Sequence, residues 1–169
     1  MYTTVFKGLI SNLLMNFSQS GTTVPKYLTS VRKEAVEFVC EMIETEDSVC
    51  IENVHILLQQ LTTRVPEKAD YRSYTCDSVL EILIPMSLLE RMRFLKFLQR
   101  LSKNVKPSSR LLAVELSSHL LSNVDKLVTQ KDSDIEGALT APLLEILIKR
   151  SSDKVNSILF DFLTYRLVL

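Results

Sequence analysis

The side chains of this chain that could carry out chemistry alone are two histidines and three cysteines, and they are scattered. Neither His55 nor His119 has a cysteine or a pair of carboxylates at the spacing of a metal site, and the sequence contains no GxSxG, HExxH or glycine-rich phosphate loop. Cys40, Cys50 and Cys76 are an odd number without CxxC spacing, which favours free core thiols in a reducing compartment. We therefore predict no enzyme activity, metal, cofactor or small-molecule substrate.

One charge pattern favours a binding role instead. The segment from Arg91 to Arg110 holds seven basic residues and no acidic residue. At 100° per residue, four of the basic residues share one helix stripe, opposite the apolar side chains of the same segment. This basic stripe consists of Arg93, Lys96, Arg100 and Lys103. A solvated outer face would explain it, and contact with phosphate or an acidic partner is the alternative.

Composition indicates what kind of fold carries these residues. The chain has 169 residues, 46% of them hydrophobic, and 20 basic against 20 acidic side chains, so it can build a core and is not uniformly basic like a histone. Three glycines are too few for the many hairpins of a sandwich or barrel, which favours an all-α fold. No apolar run is long enough for a membrane span and no secretory signal is evident, which predicts a cytosolic or nuclear protein without membrane contact.

Hydrophobic periodicity divides the chain into eight amphipathic helices that come in pairs. Pro142 falls inside the seventh, so a start at Ala141 is the alternative for that helix. The predicted helices are 3–17, 25–44, 49–63, 66–84, 87–103, 107–124, 135–149 and 152–169. They form one solenoid segment of four repeats, approximately 1–45, 46–85, 86–125 and 135–169.

Three arginines recur at the same place in successive pairs. Arg32, Arg72 and Arg110 are separated by 40 and 38 residues, and each is followed three positions later by a small residue. A period of about 40 to 47 residues built of helix pairs is typical of HEAT and armadillo solenoids. We interpret these arginines as structural, each paired with an acidic residue of its own or a neighbouring repeat. Acidic residues are concentrated in the first two repeats: Glu34, Glu37, Glu41, Glu44, Glu46, Asp47 and Glu52.

Three stretches resemble a known family more specifically. The stretches Val24–Phe38, Lys68–Tyr74 and, more loosely, Phe97–Leu121 resemble the D-type HEAT subunit of the condensin II complex, and Val31-Arg32 with Ala35 is similar to the HEAT-repeat motif. The resemblance implies a non-catalytic scaffold that binds the kleisin and SMC subunits of condensin and acts in mitotic chromosome condensation. It also implies a location in the nucleus, on chromosomes.

The end of the chain suggests that the solenoid is not complete. The run Ile158–Leu169 is apolar nearly all round, whereas a terminal solenoid helix needs a polar outer face. We therefore expect an internal segment of a longer protein, and the alternative is that another chain covers this helix. The alternative function is a generic HEAT or armadillo adaptor that binds a peptide in transport or signalling, which composition does not distinguish from a condensin subunit.

Overall fold

The computed structural model of the chain describes residues 4, 8, 26–45, 47–128 and 133–150, and within them every regular element is an α-helix. The predicted all-α class of HEAT or armadillo type, built of paired helices, is confirmed. Apart from residues 4 and 8, which are helical, the first predicted helix lies outside the described residues, and so does the eighth. The helices are α1 Lys26–Glu44, α2 Ser48–Arg64, α3 Ala69–Leu83, α4 Leu88–Leu101, α5 Pro107–Ser122, α6 Val124–Leu127 and α7 Ser133–Arg150.

The structure divides into two compact units, and the first is Met1–Ser87. In this unit α1 packs against both α2 and α3, and a four-residue connection joins α2 to α3. Asp47 caps α2, because its Oδ1 accepts a hydrogen bond of 3.0 Å from the backbone N–H of Val49. The core is made of fully buried aliphatic side chains, each stabilising the fold by about 1.5–3 kcal/mol: Val39, Val54, Leu57, Leu58, Val79 and Ile82.

The second unit is Leu88–Leu169, and in it α7 packs against both helices of the α4–α5 hairpin. Pro107 begins α5, a position where its missing N–H has no intrahelical partner to lose. The predicted helix 107–124 ends instead at Ser122, and after Asn123 the short helix α6 buries Val124 and Leu127. The largest side chains of this core are Phe94, Leu98, Leu116, Leu120, Leu139 and Leu143.

The seventh predicted helix, 135–149, is confirmed within two residues at each end, and its alternative start at Ala141 is wrong. Helix α7 begins at Ser133 and continues through Pro142. A proline inside a helix costs about 3 kcal/mol. That cost is offset because α7 buries a face of four aliphatic residues on α4 and α5, and because acidic Asp134 and Glu136 in its first turn favour the helix dipole. The buried face consists of Leu139, Leu143, Ile146 and Leu147.

The boundary between the two units falls within two residues of the predicted boundary between the second and third repeats. The grouping of the chain into four repeats stays a prediction. The placement of all three cysteines in the core is correct for Cys76 and wrong for Cys40 and Cys50, which are half-buried. Cys50 lies in the first turn of α2, where Asp47 accepts a hydrogen bond from its thiol.

Candidate binding face on helix α4

The inward face of α4 holds the helix in place and thereby orients the basic stripe. Phe94, Leu95 and Leu98 are all less than 5% exposed, and they repeat at the spacing of one helix face. Phe94 also contacts the ring of Phe97, with centroids 5.9 Å apart. Because this face is anchored in the core of the second unit, the opposite face of α4 points away from it.

All four residues of the basic stripe are exposed, as the helical projection predicts. The Arg93 guanidinium lies 3.7 Å from Glu90 Oε2, one turn earlier on the same helix. Lys103 follows the end of α4, but its backbone N–H still donates a 3.0 Å hydrogen bond to the carbonyl of Arg100. That turn keeps Lys103 in line with the helical residues, so the stripe extends over about 15 Å at 1.5 Å per residue.

A carboxylate from α7 lies beside the stripe, which the local sequence of α4 did not indicate. Gln99 donates a 2.7 Å hydrogen bond from its Nε2 to Glu145 Oε2, and Lys149 also donates to Glu145. The pKa of the Glu145 carboxyl is lowered, first by the hydrogen bond and the charge of Lys149, and then by the charge of nearby Lys103 and the hydrogen bond from Gln99. Glu145 therefore stays ionised and offsets part of the positive charge at the Lys103 end.

Arg91 belongs to the basic run in sequence but lies on the opposite side of the helix. It is 7% exposed, and its guanidinium donates a hydrogen bond to the carbonyl of Leu127 at the end of α6. Burial lowers the pKa of Arg91 below its ordinary value. Its position 160° from Arg93 on the helical projection is the signal that could have identified it as a core residue.

Each of the three recurring arginines makes at least one contact with a group other than a carboxylate. Arg72 donates to the carbonyl of Glu67, just before α3, and Arg110 donates to the carbonyls of Asn104 and Val105 at 3.1 and 2.8 Å, just before α5. The shared contact ties each helix to the loop that precedes it. Arg32 lies instead over an aromatic ring of α3. Acidic partners for the three remain a prediction.

The isolated histidines lie in different environments. His55 is 2% exposed in α2, and His119 is half-buried in α5. Among the described residues, no group of three or more His, Cys, Asp or Glu side chains is placed to hold a metal ion. None of the helices in the described part of the chain is long and apolar enough to cross a bilayer.

Two known proteins are similar to this chain. The condensin-2 complex subunit D3-L of Xenopus laevis is 29% identical over 122 residues, which is 69% of this chain and 8% of that protein. The condensin-2 complex subunit D3 of Mus musculus is 25% identical over 113 residues, 64% of this chain and again 8% of the relative. The chain thus resembles a segment of a condensin-2 subunit.

That similarity confirms the resemblance inferred from Val24–Phe38 and the two later stretches. The chain spans about 8% of the length of these curated relatives. No protein-family model and no solved structure matches it.

Proposed function

We propose that this chain is a non-catalytic HEAT segment of a condensin II subunit, which acts as a scaffold in mitotic chromosome condensation. The observation that carries the proposal is the similarity to two D3 subunits over about two thirds of the chain. The paired helices support it, because stacked helix pairs present extended surfaces suited to binding other chains. The kleisin and SMC subunits are the proposed partners, and the nucleus and chromosome the proposed location.

Co-purification from mitotic extract tests this proposal. The tagged chain should recover SMC and kleisin subunits, identified by mass spectrometry. A matched control is Leu98→Asp, which places a charge at a fully buried position of the second unit and should abolish recovery if binding needs the folded helices. Recovery of transport or signalling proteins without SMC and kleisin subunits would contradict the proposal and favour the adaptor function.

A finer proposal concerns the basic stripe, which we infer contacts DNA phosphates. Four exposed cations along one helix face match a regularly charged backbone, and contacts with phosphates carry no sequence information. The expected binding is independent of sequence. It should weaken steeply with salt, with a log–log slope of about −0.9 for each phosphate neutralised on duplex DNA.

The test compares two variants that lose the same charge. The first variant replaces all four residues of the basic stripe by glutamine: Arg93→Gln, Lys96→Gln, Arg100→Gln and Lys103→Gln. It should reduce the salt slope for duplex DNA by the contribution of up to about four phosphate contacts. The control removes four exposed cations elsewhere: Lys33→Gln, Arg64→Gln, Lys68→Gln and Lys126→Gln. Equal affinity and slope for both variants would show that the stripe is a solvated face only.

A further inference from the structure

Helices α1 and α4 carry the same pattern of side chains with opposite charge. In each case four residues of one charge stand at positions i, i+3, i+7 and i+10 and a phenylalanine stands at i+4, with the last basic residue, Lys103, just past the end of α4. On α4 this set is the basic stripe with Phe97. On α1 it is an acidic stripe with Phe38. The acidic stripe consists of Glu34, Glu37, Glu41 and Glu44.

Both stripes lie on exposed surface. All eight charged residues are exposed, whereas the other side of α1 buries Ala35, Val36 and Val39, as α4 buries its own apolar face. At 100° per residue, each stripe occupies an arc of about 80°, and each is about 15 Å long. Two helix surfaces of equal length and equal width therefore carry complementary charge at matching intervals.

The phenylalanines add an apolar element at the same place in both stripes. Phe38 is 47% exposed beside the acidic stripe, and Phe97 is half-buried beside the basic stripe, where it contacts Phe94. Covering a side chain as large as Phe38 removes apolar surface from water and so favours association. A helix docked along either stripe would cover the adjacent phenylalanine.

We propose that the basic stripe on α4 of one copy of this chain docks on the acidic stripe on α1 of a second copy. We choose a second copy of the chain as the partner because the two stripes have complementary charge and share the i, i+3, i+7, i+10 spacing. The contact does not depend on the proposed DNA binding or on any condensin subunit, because both of its surfaces are present in this chain.

The register of the contact makes two positions on each helix decisive. Whether the helices run parallel or antiparallel, the two central residues of one stripe face the two central residues of the other. Those residues are Glu37 and Glu41 on α1, and Lys96 and Arg100 on α4. Substitutions at these four positions therefore test the contact in both orientations.

Bonds already made within α1 are compatible with docking. Lys33 Nζ lies 3.3 Å from Glu37, and the Ser30 hydroxyl donates a 3.2 Å hydrogen bond to Glu34. Exposed pairs of this kind contribute little to stability. The intermolecular pairs are exposed as well, so the association is weak and sensitive to salt.

Sedimentation of the intact chain gives the first test. At about 0.05 M salt the weight-average mass should rise with concentration above that of the 19.3 kDa monomer, and at about 0.5 M salt it should return to it. A monomer at low salt would overturn the proposal. So would an association that persists or strengthens with salt, because that behaviour belongs to apolar contacts such as the run Ile158–Leu169.

A charge swap gives the sharper test. The variants Glu37→Lys/Glu41→Lys and Lys96→Glu/Arg100→Glu each place like charges across the contact, so each alone should associate at least about tenfold more weakly than the unchanged chain. Mixed one to one, the two variants restore opposite charges between copies and should associate again. Failure of the mixture to associate, with both variants folded by circular dichroism, would overturn the proposal.

A matched control separates the stripe from net charge. Lys68→Glu/Lys126→Glu makes the same change in net charge as Lys96→Glu/Arg100→Glu, at exposed positions outside both stripes. This control should associate within about twofold of the unchanged chain, since distant exposed charges are largely screened. If it loses association as fully as the stripe variant, net charge rather than the stripe controls association and the proposal is wrong.

Discussion

The guanidinium of Arg32 on α1 lies 4.4 Å from the centroid of the Tyr74 ring on α3. The recurrence of Arg32 predicted a structural role. Within the first unit, Arg32 contacts a residue that is distant in sequence. A guanidinium over an aromatic face is attracted by the negative charge density of the ring. The contact joins α1 to the second helix of the α2–α3 hairpin.

The Arg32–Tyr74 contact should be measurable as a coupling energy. In a double-mutant cycle of Arg32→Gln and Tyr74→Leu, followed by urea unfolding, we expect a coupling of about 0.5–1 kcal/mol. Repeating the cycle with Tyr74→Phe should preserve most of the coupling, because phenylalanine retains the aromatic face. A coupling near zero between Arg32 and Tyr74 would show that the two side chains are adjacent without net attraction.

Arg91 and Arg93 should respond differently to removal although they are two residues apart. Arg91→Ala leaves the buried Leu127 carbonyl without the guanidinium as a donor, and should lower the free energy of unfolding by about 1–3 kcal/mol. Arg93→Ala removes an exposed side chain paired with Glu90 and should change stability by no more than about 0.5 kcal/mol. Urea unfolding of both variants checks this difference. Equal effects would contradict the opposite orientations of the two arginines.

The helices of the hairpins were predictable from sequence because their apolar residues repeat at the helical period. The predicted helices 49–63 and 87–103 correspond to α2 and α4, within two residues at each end. Pro107 marked the start of α5, since proline is tolerated in a first turn, whereas Pro66 stands three residues before α3. Local signals therefore specified most of each helix.

Tertiary contacts determine the continuity of α7 and the position of Glu145, which the local sequence did not predict. Pro142 indicated a break, but packing of α7 on α4 and α5 maintains one helix through it. The basic stripe was predictable from α4 alone, whereas Glu145 comes from a helix more than 40 residues later and reaches the stripe only in the folded unit. Which side chains share a face follows from periodicity, and which helices meet does not.

Gly137→Ala should stabilise the second unit. A Cβ added at this exposed position in α7 would meet no heavy atom within 4 Å, so the substitution introduces no clash. Alanine restricts the unfolded chain more than glycine does, and the expected gain in the free energy of unfolding is about 0.5–1 kcal/mol. The reverse change at exposed Ala141, one turn later, should cost a similar amount. Thermal or urea unfolding tests both, and a destabilised Gly137→Ala variant would contradict the exposure of this face.

Cys40 should react slowly with alkylating agents in the folded chain. Burial, followed by the carboxylates of Glu81, Glu44 and Glu37, raises the pKa of its thiol from 9.0 to about 11. Near pH 8 the reactive thiolate should therefore be about 100-fold less populated than in the unfolded chain. Peptide mapping after iodoacetamide treatment, with and without urea, measures the two rates.

The same shift makes folding stability depend on pH. Because the folded state raises this pKa, it holds the thiol proton more tightly than the unfolded state. The resulting stabilisation is complete below pH 9 and is lost as the pH rises towards about 11. Cys40→Ser should remove that part of the pH dependence while leaving the rest. The Cys40 sulfur on α1 lies 3.7 Å from the backbone carbonyl of Glu81. This placement would be contradicted if folded Cys40 were alkylated as fast as the unfolded chain, or if Cys40→Ser left the dependence of stability on pH unchanged.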